Sequence, residues 1–316
     1  MWRRSIFALV ICTACGSGSA VTGSTDSFLE GLPSRSSLQV TAPSGHAPAA
    51  LSPRSSALLG ETASLYVLTR QTTAQVNGTV GGVLDTVGRI ASTPPAAVGP
   101  DSAAWGPITD ALSPVIGRLV IQRVGPGAHT FRVDLAPKSG TDADFKTFLQ
   151  GASTGAAPQG PSDGSFSVDL TLAHTLDPVA NPTDGQLVTG WSVRADQRTV
   201  HVHFSDVQTG ADAPANADVS SVLGADGSGV LVFDALANLL GDADTLETGQ
   251  VRSRWAPTGA GRADVQVQAV DGGDGFALTE CWDSSFGRVY ALGEAPDGGV
   301  ASEGDPAACA FAEPLR

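Results

Sequence analysis

The sequence is poor in aromatic side chains, in positive charge and in motifs that carry chemistry. Aromatic residues make up 6% of its 316 positions, and only five are Trp and two Tyr. That is too few for the two aromatic girdles of a transmembrane β-barrel. Beyond residue 14 no apolar run is long enough to cross a bilayer as a helix. Neither G-x-x-x-x-G-K-[ST] nor H-E-x-x-H occurs, which removes the phosphate-loop and zincin readings. Gly164-Ser165 and Gly227-Ser228-Gly229 offer serines, but no strand–elbow–helix order surrounds either, as a nucleophile elbow requires. The chain therefore reads as non-enzymatic and without a cofactor. A hydrolase of envelope polymers ranks last because no motif supports it, although carboxylate pairs would leave no local signature to find.

What is present begins at the N-terminus. Arg3 and Arg4 precede the apolar stretch Ser5 to Ala14, which has the length of a signal h-region. Thr13-Ala14-Cys15-Gly16 puts small residues before a cysteine and resembles a bacterial lipobox. The pattern prefers Leu, Val or Ile three residues before that cysteine; here the position is Cys12. The resemblance implies that residues 1–14 are a signal peptide, that Cys15 carries lipid and that the membrane is a partner through this anchor. Gly16, rather than Asp, resembles lipoproteins sent on to the outer membrane. An ordinary secretory signal cut after Ala20 is the alternative, with Gly18-Ser19-Ala20 as its small residues.

Charge and cysteine usage bound the partners. The chain has 18 basic and 32 acidic residues, and losing Arg3 and Arg4 leaves 16 against 32. Such an acidic balance argues against nucleic acid or an anionic membrane surface. With Cys12 in the signal and Cys15 acylated, Cys281 and Cys309 remain, and an exported chain is expected to pair them. The closed loop would contribute about 3–4 kcal/mol on the chain-entropy model. Two cysteines this far apart with no nearby His make a poor zinc set.

The hydropathy pattern divides the chain. Residues 15–60 are rich in Gly, Ser, Thr, Ala and Pro and read as a disordered tether, holding the domain on the order of 35 Å from its anchor. Residues 61–316 read as a single β-rich domain. Across 61–92, Leu65, Leu68, Val76, Val80, Val83, Val87 and Ile90 recur at three and four, which predicts a helix. Gly78, Gly81, Gly82 and Gly88 suggest a kink or two shorter helices. From about residue 115 the period becomes two, as in Phe131-Val133-Leu135, Phe166-Val168-Leu170-Leu172, Val200-Val202-Phe204 and Val265-Val267. Less regular strands fit 116–124, 145–150, 186–194, 229–234, 248–256, 276–283 and 286–292, and residues 235–240 suit a helical turn. The expectation is an all-β, antiparallel up-and-down meander forming a closed or nearly closed, lipocalin-like barrel, with the helix on or in it.

Side chains with chemistry weigh against bland alternatives. His201 and His203 leave one face of a strand, with Asp206 or His174 as a third metal ligand; a pair of exposed histidines is the commoner case, and no metal is expected. Asp242, Asp244 and Glu247, and Asp271 with Asp274, form acidic loops without EF-hand spacing. Trp105, Trp191, Trp255 and Trp282 suit either a cavity wall or ordinary core, and parity favours core. Cys281 lies opposite in parity to Phe276 and Leu278, so its disulfide would staple the tail to one face of the last hairpin. The resulting expectation is a cell-envelope lipoprotein binding a small apolar ligand or a lipid; a structural or interaction lipoprotein of the outer-membrane surface without a cavity is the alternative.

Overall fold

A computed structural model describes residues 25–44, 59–155, 160–210, 213–239, 246–271, 275–294 and 299–315. Cys15, Asp242, Asp244 and Asp274 lie outside the described residues. Fifteen strands follow one another as an antiparallel meander. They are β1 Pro95–Val98, β2 Ser102–Ile108, β3 Val115–Gly125, β4 Ala128–Pro137, β5 Lys146–Gly155, β6 Ser162–Asp169, β7 Thr183–Val193 and β8 Gln197–Thr209. Then come β9 Ala215–Gly224, β10 Gly229–Ala237, β11 Glu247–Trp255, β12 Gly261–Ala269, β13 Gly275–Trp282, β14 Arg288–Glu294 and β15 Val300–Gly304. Each strand pairs only with its neighbours in sequence, and β1 and β15 do not pair with one another. The expected closure into a barrel is thus corrected to an open sheet. Both edge strands are short, which limits the unpaired backbone they present.

One face of the sheet is covered. α3, Ser64–Ala91, packs against β12 and β13 near its start and against β2 and β3 near its end. The alternation read from sequence sets the buried side: Phe131, Val133, Phe166, Val168, Val200, Val202, Val265 and Val267 all face this cover. α3 is a single helix of 28 residues rather than a broken one. Its interior glycines cost helix propensity, but Val76, Val80, Val83, Val87 and Ile90 are buried along one stripe, and that burial outweighs the cost.

The tether expected over residues 15–60 is corrected in part, because residues 25–44 belong to the fold. α1, Asp26–Leu29, and α2, Arg35–Leu38, lie on the covered face beside α3. Phe28, Leu38 and Val40 are buried in the main core. Asn77 of α3 accepts from Val40 N and donates to Val40 O, at 2.9 and 2.8 Å. Low overall hydropathy hides these few apolar residues, each of which is completed by contacts distant in sequence.

Two local expectations also change. The strand read through Leu172 stops at Asp169, whose carboxylate accepts from Leu172 N at 2.9 Å and starts α4, Leu170–Leu176. The turn read at 235–240 is instead β10 up to Ala237, held by pairing to β9 and β11. β1, β2, β9 and β15 carry too little alternation to stand out; in β9 the inward residues are Ala217, Val219 and Ser221.

The hairpin connections alternate between two ends of the sheet. The end bearing β2–β3, β4–β5 and β6–β7 has long loops, including α4. The opposite end has tight turns, such as 126–127 between β3 and β4.

Candidate functional site

The C-terminal half of α3 does not fill the space above the sheet. Ile90, Arg89 and Thr86 form one wall of a cleft of about 470 Å³ at the long-loop end. Gly117, Leu135 and Phe148 make its floor, and Ala173 of α4 its far wall. A Cβ on Gly117 would come within 3.2 Å of both Ile90 and Leu135, so glycine there keeps the floor open. The other flank of α3 borders a smaller space of about 250 Å³, where Leu84 and Val87 face Leu32 and Pro33 above Phe131, Leu149 and Phe166. The interiors of both spaces are mostly aliphatic and aromatic, and the larger has a polar mouth. Such a lining retains an apolar body and leaves a polar group in water.

Two braced loops form the mouth. In 109–114, Thr109 Oγ1 donates to Val115 O at 2.7 Å, and Lys138 Nζ donates to the carbonyls of Asp110 and Ala111 at 3.1 Å each. Arg89 pairs with Asp110 at 3.3 Å. In 177–182, Asn181 N donates to Asp177 O, and Ala180 N to Asp177 Oδ1. His174 Nδ1 donates to Asn181 O at 2.8 Å.

The residues singled out from sequence do not converge on this site. Cys281 and Cys309 form a disulfide on the bare face of the sheet, and the tail is held there by Arg262 donating to Ala312 O and by Arg254 over Phe311. His201 and His203 project from the bare face, where His203 Nδ1 lies 2.7 Å from Asp218 Oδ1. His174 is on α4 and committed to Asn181, and Asp206 N is bound by Asn216. Among the described residues, no three His, Cys, Asp or Glu side chains could hold a metal ion. Glu247 is buried on the covered face and accepts from Leu239 N. Trp105, Trp191, Trp255 and Trp282 are all buried. Ser165 faces the bare side, and Ser228 closes a turn with Asp226.

Two strings of the nucleophile-elbow type do occur, Gly151-Ala152-Ser153-Thr154-Gly155 and Gly160-Pro161-Ser162-Asp163-Gly164. Neither is an elbow: the first lies within β5, and the second enters β6. Ser153 sits directly across from His129, but both are buried beneath residues 27–31, and Ser153 Oγ donates to Gly31 O at 2.6 Å. Burial and the nearby Arg123 lower the His129 pKa. The pair packs the N-terminal segment against the sheet.

A second buried polar group lies at the start of α3. Ala63, the residue preceding the helix, has no side chain able to cap it. Glu280 of β13, 2% exposed, reaches across and accepts from Leu65 N. Burial raises the Glu280 pKa, while the backbone donors of Leu65 and Ser64 and the Arg288 guanidinium pull it down. Arg288 stands 3.7 Å from Glu280 and donates to Glu303 at 2.7 Å.

Sequence reasoning did not find the cleft. Its wall residues were legible only as part of the α3 stripe, and its mouth is made by loops without periodicity. No family model, no curated protein and no solved structure matches this chain.

Proposed function

We propose that the protein is a non-enzymatic cell-envelope lipoprotein, anchored by lipid on Cys15, that holds a small apolar ligand or a lipid between α3 and the covered face of the sheet. The observation that carries this reading is the cleft of about 470 Å³ beside Ile90, Leu135 and Phe148, within the size range of small-molecule sites. The lipobox-like Thr13-Ala14-Cys15-Gly16 supports the anchor and an outer-membrane address. Native mass spectrometry of the exported protein tests the ligand. A co-purified small molecule, released on denaturation and displaced by Ala173→Phe, supports the reading. A bare protein mass under gentle ionisation argues against it.

The second reading is a structural or interaction lipoprotein without a bound ligand. It is favoured by the other half of α3, where Tyr66 packs on Trp282 and stacks on Phe286, with ring centroids of Tyr66 and Phe286 4.4 Å apart.

A further inference from the structure

Exposed apolar side chains are not spread evenly over this molecule. Among the described residues ten large hydrophobics are exposed. Six of them, Leu112, Val179, Leu239, Val270, Phe276 and Val300, lie on the loops or within the first two strand residues of the long-loop end. Leu112 is 99% exposed and Val179 93% exposed, and these two stand on the two loops that frame the mouth of the cleft. Those loops are hydrogen-bonded in place, so their tips point into water although the backbone beneath them is braced. Two aliphatic side chains held almost fully in water at the mouth of a cleft with an apolar interior point to a contact surface there.

The arrangement suits a fluid partner. The six side chains are spread over five separate connections, whereas a protein interface gathers its anchors into a central patch. Aliphatic tips on separate loops instead match shallow entry into a lipid headgroup region. Charge selects the kind of lipid. The same end carries Asp110, Asp142, Asp144, Asp177, Asp184 and Asp271 against Arg89, Lys138 and Lys146, which disfavours an anionic surface. The arginines cluster at the tight-turn end, with Arg123, Arg194, Arg198, Arg254, Arg262 and Arg288.

We infer that the long-loop end docks on a zwitterionic lipid surface, with Leu112 and Val179 entering the headgroup region so that the cleft opens onto lipid. This rests on the ligand-holding reading above and adds the source of the ligand and its route of entry.

The test uses the mature chain from residue 15 carrying Cys15→Ser, so that neither the apolar signal stretch nor an acyl anchor contributes, floated with phosphatidylcholine vesicles. The protein is expected to float with the vesicles. Leu112→Ser/Val179→Ser should lower the bound fraction roughly tenfold, from the apolar burial lost. Val124→Ser, an exposed valine at the opposite end, should leave it unchanged. Adding phosphatidylglycerol should weaken binding. Absence of flotation, equal flotation of the double variant, or binding that strengthens with phosphatidylglycerol would each overturn the inference. Loading with oleate offered in free solution separates the two readings. A double variant that still takes up oleate but no longer floats locates docking in the rim. A wild-type protein that floats but takes up no oleate retains the docking surface and loses the cleft as a ligand site.

Discussion

Glu280 accepts a hydrogen bond from the backbone N–H of Leu65, across 215 positions of sequence, and so supplies from β13 the cap that α3 lacks at its own N-terminus. A helix start leaves four N–H groups without intrahelical partners, and a negative charge there also meets the positive end of the helix dipole. The carboxylate is buried, so its charge is tolerated only through these donors and Arg288.

Replacing Glu280 by Ala should therefore destabilise the protein by about 2–3 kcal/mol, since Leu65 N and Arg288 both lose a buried partner. Glu280→Gln keeps one acceptor and should lose less. The sign with pH follows from the raised pKa. Stability from this group is full below the ordinary value of 4.5 and is lost as pH rises through the folded-state value. Urea unfolding should show the Gln variant gaining on the wild type as pH rises above 4.5.

His129 gives the opposite slope. Its pKa is lowered by burial and by Arg123, so the unfolded chain takes up a proton first, near the ordinary 6.5. Its contribution is full above that value and fades as pH falls toward the folded-state value. His129→Phe should flatten the fall in unfolding midpoint below pH 6.5. An unchanged slope would assign the acid sensitivity elsewhere.

The N-terminal segment should be separable from the rest by one methyl group. A Cβ on Gly31 would lie 2.5 Å from the His129 ring, so Gly31→Ala must displace residues 27–31. Limited proteolysis should then cut within 25–44 while the sheet stays protected. Gly31→Ala/His129→Gly, which removes both the ring and the His129 Cβ that stands 2.6 Å away, should restore resistance in part.

Reduction of the disulfide should cost on the order of 3 kcal/mol, because the bond closes a chain segment of 28 residues. Cys281→Ala/Cys309→Ala should show the same loss in thermal unfolding. The native protein should show neither of these thiols to a thiol reagent, and the tail beyond Asp305 should become cleavable in the double variant.

Much of the sheet was legible because alternation depends only on neighbours. Phe131-Val133-Leu135 and Val200-Val202-Phe204 declare a strand and a buried side without reference to any partner. Asp169 shows the limit: Leu170 and Leu172 continue the alternation, yet a side-chain cap turns the chain into α4. Residues 25–44 show another, since Phe28 and Leu38 are isolated among polar residues and acquire their surroundings from β3, β7 and α3. The candidate site was the least legible part. Ile90, Leu135, Phe148 and Ala173 come from four elements, and nothing in their spacing brings them together.

By itself the sequence determined most of the strands, the presence of helix within 61–92 and the pairing of Cys281 with Cys309, because periodicity and the count of available thiols are local or arithmetical properties. Tertiary structure alone decided that the sheet stays open, that the N-terminal segment joins the core, that Glu280 caps α3, and that a cleft opens beside Ile90. Each of these depends on side chains meeting across tens to hundreds of residues, where shape, burial and the satisfaction of backbone donors select the partner.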